Sequence, residues 1–204
     1  MKKICIVQTG TGSSKELMDL CGKIMPEVKV YQIIDDSMLV EMLEKGGATP
    51  DVNRRLFHYY EQAQSLGVDA IFHQCVIAGE TALLLEKFMD IPVVRIDEGM
   101  LLKALETGDR IAILATSPVA LIQSRNFLNK LADKQNRKIN ISTSVVTKET
   151  IKEIAEETAK ENDVIVLAQP SMTAVAPLLA EINIPVLTAP ESGIEYLKKV
   201  LYGQ

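Results

Sequence analysis

An internal repeat constrains the fold of this 204-residue chain more than any other feature of the sequence. The segment DAIFHQCVIAGE (69–80) aligns without a gap on DVIVLAQPSMTA (163–174). Upstream, KICIVQTGTGSS (3–14) aligns in the same way on RIAILATSPVAL (110–121). A chain that contains one unit twice is predicted to form two similar lobes, and we expect the active site in the cleft between them.

The two copies differ at a chemically important position. Cys75 of the first copy falls opposite Gln169 of the second, whereas Thr9 and Thr116 are equivalent and each follows an apolar run where a loop begins. The lobes are therefore predicted to carry matching hydroxyl groups but only one thiol.

Short apolar runs rich in β-branched residues alternate with segments of helical periodicity, which indicates parallel sheets covered by helices. The runs predict buried strands at about Ile4–Val7, Val28–Ile34, Ala70–Phe72, Val93–Ile96, Ile111–Leu114, Ile139–Val146, Val164–Leu167 and Pro185–Leu187. The predicted fold is a doubly wound α/β architecture of two parallel four-stranded sheets related by pseudo-two-fold symmetry. The first lobe is expected to comprise residues 1–97 plus 190–204, the second residues 98–189, with the last helix (191–201) returning to the first lobe.

Composition excludes several classes of protein. A net charge of −5 without a cluster of basic residues argues against nucleic-acid binding. The apolar run at the N-terminus is too short for a signal peptide or a membrane span, so we expect a cytoplasmic protein without a membrane partner. Three cysteines and two histidines without metal-ligand spacing predict neither a disulfide framework nor a metal site, and no motif calls for a cofactor.

Ligands of parallel sheets bind beyond the carboxyl ends of the strands, where loops lead into helices. Four predicted loops have this position: Thr9–Ser14, Cys75–Gly79, Thr116–Pro118 and Gln169–Met172. The first contains Gly10 and Gly12 but lacks the spacing of a nucleotide-binding loop, which favours carboxylate binding, or capping of the next helix by Ser13 or Ser14, over a nucleotide.

Cys75 is the candidate for chemistry because it follows a strand and precedes a predicted helix, whose N-terminus would lower the pKa of the thiol and make it a base or nucleophile. The alternative is a buried structural cysteine, which is the expected state of Cys5 and Cys21. His73 lies two residues earlier, where it would either tune the thiol or be a hydrogen-bonded histidine of the core.

The Thr/Gly loop after the first strand and the segments DAIFHQC, PVVRIDEGM, RIAILAT and VIVLAQPSM, in this order and spacing, resemble the aspartate/glutamate racemase superfamily. That superfamily includes hydantoin racemases, maleate isomerases and arylmalonate decarboxylase. The resemblance implies chemistry next to a carboxylate without a cofactor. In the racemases of this superfamily, two cysteines face each other across the substrate. Cys75 matches the first cysteine, whereas Gln169 takes the place of the second, and an amide cannot titrate.

The resemblance implies one catalytic residue, Cys75, and a set of substrate-binding residues. That set is Thr9, Gly10, Val76, Ile77, Thr116, Ser117, Gln169, Pro170 and Ser171. Three functions stay open: an amino-acid racemase or isomerase that uses Cys75 as its acid/base, a decarboxylase or other lyase of malonate-type acids, and a non-catalytic protein that binds small carboxylates. Relatives often form dimers, so we also expect a homodimer with a contribution from the apolar segment 83–89.

Overall fold

Both copies of the repeat fold into a parallel four-stranded sheet. The computed structural model describes residues 1–203, and the strands in that range are β1 (Lys3–Gln8), β2 (Lys29–Ile34), β3 (Ala70–His73), β4 (Val93–Arg95), β5 (Arg110–Ala115), β6 (Asn140–Val145), β7 (Val164–Leu167) and β8 (Val186–Thr188). The strand order is β2-β1-β3-β4 in the first sheet and β6-β5-β7-β8 in the second. Because the second order repeats the first, the predicted α/β fold of two four-stranded parallel sheets is confirmed.

Helices fill the connections between the strands. They are α1 (Ser14–Ile24), α2 (Ser37–Lys45), α3 (Pro50–Ser65), α4 (Gly79–Leu85), α5 (Glu98–Thr107), α6 (Pro118–Lys134), α7 (Ile151–Thr158) and α8 (Ala189–Tyr202), with 3₁₀ helices at Glu86–Phe88 and Pro170–Leu179. α3 shows how the sequence sets a boundary. Pro50 stands at its first position, and the Thr49 hydroxyl accepts a hydrogen bond of 3.2 Å from the Val52 N–H.

The chain divides into two compact units. The first unit contains residues 1–96 and the chain from Gly193 onward, and the second contains Asp97–Ser192. Within the first unit, the Lys198 ammonium group of α8 donates a hydrogen bond of 2.8 Å to the carbonyl oxygen of Ile24, at the end of α1. The C-terminal helix therefore packs on the unit that contains the N-terminus.

The middle strands carry the core, and two edge strands do not. Every residue of β3 and β7 is buried, whereas β2 and β6 are half-exposed or exposed along their whole length. The prediction that β2 and β6 are buried strands is therefore wrong. Each lies at one edge of its sheet, but β4 at the opposite edge of the first sheet is buried, so edge position alone does not set the exposure of these strands.

Equivalent aspartates close the same end of both sheets. Asp69 accepts a hydrogen bond of 2.8 Å from the Lys3 N–H, and Asp163 accepts one of 2.9 Å from the Arg110 N–H. Arg110 also pairs with Asp163 through its side chain, and these bonds hold the pKa of Asp163 down at about 2. The repeat thus preserves this polar contact as well as the apolar pattern.

The segment 83–89 forms the end of α4 and the 3₁₀ helix that follows. Leu84 and Phe88 are 55% and 66% exposed, so this segment presents apolar side chains to solvent. The homodimer stays a prediction. No helix within residues 1–203 combines the length and apolar composition that crossing a bilayer requires.

Candidate active site

Strand register brings Thr9 and Cys75 together. In the parallel pair β1/β3, Val7 is the partner of His73, and the Gln74 N–H donates to the Val7 carbonyl oxygen at 3.0 Å. Thr9 and Cys75 each lie two residues beyond this last pair, at the carboxyl ends of adjacent strands. This is the edge of a parallel sheet where ligands bind.

Three neighbouring groups favour the thiolate form of Cys75 by hydrogen bonding and so lower the pKa of its thiol. They are the hydroxyl group of Thr9 and the backbone N–H groups of Ile77 and Ala78. Burial raises the pKa of the thiol, because Cys75 is only 6% exposed and a thiolate loses hydration there. The three donors and the positive charge of Arg95 oppose this effect, but the net shift is upward.

The prediction of a lowered thiol pKa is therefore wrong for the resting protein. Desolvation outweighs the local donors, so the Cys75 side chain is a neutral thiol at neutral pH. A neutral thiol gives up a proton directly, whereas it accepts one only after it has been ionised. The donors around the sulfur would then stabilise the thiolate.

His73 holds the backbone of Cys75 rather than its thiol. The imidazole is fully buried, and its Nε2–H donates a hydrogen bond of 2.7 Å to the Cys75 carbonyl oxygen. Because that nitrogen carries the proton, Nδ1 accepts from the Tyr60 hydroxyl at 2.9 Å. Burial lowers the pKa of His73 to about 3, assisted by the charge of Arg95 and opposed by the bond to Cys75. The ring is thus neutral and satisfied, the second of the two predicted alternatives.

The other cysteines belong to the core, as predicted. Cys5 lies in β1 and Cys21 in α1, and both are buried. Burial raises the pKa of each thiol to about 11. Neither is suited to proton transfer at neutral pH.

The serines of the first loop do not cap α1, so that prediction is wrong. Ser13 accepts a hydrogen bond of 2.7 Å from the Gln74 side chain, and Ser14 donates one of 2.9 Å to the Gln8 side chain. The first bond ties the loop after β1 to the residue that precedes Cys75, and the second ties the start of α1 to the end of β1. Gly10 also has a tight neighbour, because a Cβ added there would lie 3.2 Å from a methyl carbon of Leu39.

The second unit repeats this arrangement with different chemistry. Thr116 and Gln169 each lie two residues beyond the paired Leu114 and Leu167 of β5 and β7. The side-chain oxygen of Gln169 accepts hydrogen bonds from the Thr116 N–H at 2.7 Å and from the Thr116 hydroxyl at 2.9 Å. Thr9 therefore stands beside Cys75 in the first unit as Thr116 does beside Gln169 in the second. Of these two equivalent residues, only Cys75 has a side chain that can act as an acid.

The remaining predicted site residues differ in exposure. Val76, Ile77, Ser117 and Pro170 are buried, whereas Ser171 is exposed. Ser171 lies inside the 3₁₀ helix Pro170–Leu179, so it is not available as the N-cap residue of that helix. Contact of these residues with a substrate stays a prediction.

Three residues beside Cys75 were missed by sequence reasoning. Tyr60 is fully buried against His73, and Arg95 is 1% exposed although its side chain is charged. Gly79 packs on the Arg95 guanidinium, since a Cβ added at Gly79 would lie 2.4 Å from Arg95 Cζ. The available signal was the single arginine within the apolar run PVVRI.

Within residues 1–203, His, Cys, Asp and Glu side chains form no group of three or more that could hold a metal ion.

A family model and solved structures match this chain over nearly its whole length. The model described as Asp/Glu/Hydantoin racemase matches residues 7–197. The chain belongs to the Asp/Glu/hydantoin racemase family. Membership of this racemase family supports the conclusion that the protein is an enzyme with a racemase-type function.

Solved racemases share the fold. The glutamate racemase of Francisella tularensis in complex with D-glutamate is 15% identical with a TM-score of 0.71, over 99% of this chain and 81% of that chain. The aspartate racemase of Picrophilus torridus is 16% identical with a TM-score of 0.70, over 99% and 95%. The allantoin racemase of Klebsiella pneumoniae is 17% identical with a TM-score of 0.66, over 99% and 88%. At these low identities, the structural similarity establishes the fold of this chain. No curated protein sequence gives a significant match.

Proposed function

We propose that this member of the Asp/Glu/hydantoin racemase family is a cofactor-independent enzyme that transfers a proton at the carbon next to a carboxylate. Its substrate is a small carboxylate or an amino acid, and its acid/base is the Cys75 thiol. The observation that carries the proposal is the position of a buried thiol and a buried threonine just beyond the carboxyl ends of the adjacent strands β1 and β3. Family membership supports the same reaction type.

In a racemase or isomerase, the neutral Cys75 thiol first releases its proton to solvent, and the resulting thiolate removes the α-proton and leaves an enolate. Water or a substrate group then returns a proton to the carbon, since Gln169 cannot supply one. The sulfur then carries the former α-proton as a neutral thiol, and the proton it first released to solvent neutralises the base that is left when the carbon is reprotonated. The Thr9 hydroxyl and the N–H groups of Ile77 and Ala78 stabilise the thiolate that forms before proton transfer.

A second candidate is decarboxylation of a malonate-type acid. Loss of CO₂ leaves an enolate, and the Cys75 S–H then gives its proton to the carbon, so the reaction needs only one acid. The resting thiol is neutral, as this step requires. The oxygen of Gln169 is already occupied by Thr116, which also suits a reaction without a second acid/base.

Proton NMR in D₂O tests both candidates on one set of samples. A panel of amino acids, hydantoins and malonate-type acids is incubated with wild-type protein and with Cys75→Ser. We expect Cys75-dependent loss of an α-proton signal, or release of CO₂ with one deuteron incorporated. Replacement of a general acid/base lowers the rate by about 10² to 10⁴.

Cys21→Ser is the matched control, because Cys21 is a buried cysteine of the same unit that lies in α1. It should retain the exchange activity if the protein remains folded. Equal loss in both variants would attribute the effect to folding. Exchange and decarboxylation that persist in Cys75→Ser, or that are absent from wild-type protein throughout the panel, would refute the proposal.

A further inference from the structure

Arg95 is the largest fully buried side chain of the protein. It ends β4 and is the register partner of His73 in β3, so the two side chains share a face of the first sheet. Burial of a guanidinium group is costly, and charged side chains are almost never fully buried unless they are paired with other groups. Its neighbours therefore indicate what the charge does.

The guanidinium lies against the first residue of the helix that follows Cys75. A Cβ on Gly79 would stand 2.4 Å from Arg95 Cζ and Nη2 and 2.5 Å from Nη1, so only glycine leaves room for this contact. The Gly79 N–H bonds to the Val76 carbonyl oxygen at 3.0 Å. The loop 75–79 is thus a tight turn that closes over the arginine.

The titratable groups around the Cys75 thiol come from several elements. His73 of β3 is neutral, and Tyr60 of α3 has a pKa raised well above its ordinary value by burial. The charge of Glu86, in the adjacent 3₁₀ helix, also raises the pKa of Tyr60. Arg95 is the one positive charge among these groups. It lowers the pKa values of Cys75 and Tyr60, which burial raises. It also lowers the pKa of His73, in the same direction as burial.

We infer that Arg95 is a positioning residue whose buried charge stabilises the Cys75 thiolate, and that Gly79 is required to admit the guanidinium beneath the thiol loop. The inference rests on the proposed function for its catalytic meaning, since the thiolate is the state in which Cys75 has given up its proton. The role assigned to Arg95 is electrostatic. It acts through Cys75.

Alkylation of the intact protein by iodoacetamide, followed across pH with the Cys75 peptide quantified by mass spectrometry, measures thiolate formation without a substrate. An opposite charge at close range shifts a pKa by about 1 to 3 units. Arg95→Met is therefore expected to slow Cys75 alkylation about tenfold or more at pH 8 and to move the midpoint upward. Arg95→Lys keeps a positive charge and should restore most of the rate.

Two further variants separate charge from folding. Gly79→Ala keeps the arginine but displaces its guanidinium, so it should raise the alkylation midpoint in the same direction as Arg95→Met. Lys87→Met removes an exposed positive charge from the same unit and should leave the profile unchanged. Circular dichroism and thermal unfolding check each variant. If Arg95→Met does not fold, Gly79→Ala and Arg95→Lys carry the test.

An alkylation profile that is unchanged in folded Arg95→Met, or in Gly79→Ala where Arg95→Met does not fold, overturns the inference. The same holds if Arg95→Lys is as impaired as Arg95→Met in a folded protein, because charge would then not be the cause. The proposed function fails separately, through the absence of Cys75-dependent exchange or decarboxylation in D₂O. The thiol profile can therefore support the role of Arg95 even where that reaction is not found.

Discussion

Acid is expected to destabilise this protein through His73, and the size of the effect follows from its environment. The imidazole is fully buried and its pKa falls from 6.5 to about 3. The unfolded chain therefore takes up a proton at His73 in a pH range where the folded protein does not. The contribution of neutral His73 to the stability of the folded protein is fully present above pH 6.5 and is lost as the pH falls toward 3.

Linkage gives the magnitude. With pKa values of 6.5 in the unfolded chain and about 3 in the folded protein, His73 alone lowers the free energy of unfolding by about 2 kcal/mol at pH 5. At pH 4 the loss reaches about 3 kcal/mol. Small proteins have a total stability of about 5 to 15 kcal/mol, so this single group accounts for a measurable part of acid unfolding.

Urea unfolding at pH 8, 6, 5 and 4 provides the assay, with His73→Gln as the comparison. Glutamine offers an amide N–H for the Cys75 carbonyl oxygen but has no group that titrates in this range. The variant is expected to be less stable than wild type at pH 8 and to lose less stability on acidification. The carboxylates with lowered pKa values contribute equally to both proteins. Parallel pH profiles for the two proteins would refute the assignment of a buried, neutral His73.

Two other substitutions test the packing around the site. Tyr60→Phe keeps the ring but removes the hydroxyl that donates to His73, so unfolding free energy should fall by about 1 to 3 kcal/mol, measured in urea at pH 8; unchanged stability would contradict the buried hydrogen bond. Gly193→Ala should destabilise by at least about 2 kcal/mol, since its Cβ would lie 2.3 Å from the Ile96 carbonyl oxygen. Gly22→Ala, in α1 with nothing within 4 Å, is the control and should stabilise by about 0.5 to 1 kcal/mol. Equal effects of the two glycine substitutions would contradict the close approach of Gly193 to the backbone.

Local pattern was sufficient to predict the fold because the strands of a parallel sheet are apolar and short. All eight observed strands overlap the predicted runs, and the alignment of 69–80 on 163–174 anticipated two sheets of identical order. The same pattern could not separate buried strands from exposed ones. β2 and β6 are as β-branched as their neighbours, but in the folded sheets their side chains are half-exposed or exposed.

Prediction of the candidate site was partly successful for a related reason. The repeat identified Thr9 and Cys75 as residues at strand ends, and strand register places them side by side. The direction of the thiol pKa was missed, because the sequence indicates the helix after Cys75 but not how deeply the sulfur is buried. Ser13 before α1 suggested a cap, yet its hydroxyl group bonds to Gln74, which only the folded sheet brings near.

The sequence by itself determined the order of strands and helices, the duplication of the unit, and the presence of a thiol in one copy against an amide in the other. These follow from periodicity and residue type, which are local properties of the chain. The tertiary structure decided the protonation of Cys75 and His73, the burial of Arg95 beneath Gly79, and the bonding of Gln169 to Thr116. Each of these depends on desolvation and on contacts between residues distant in the chain, and such contacts exist only once the sheets have formed.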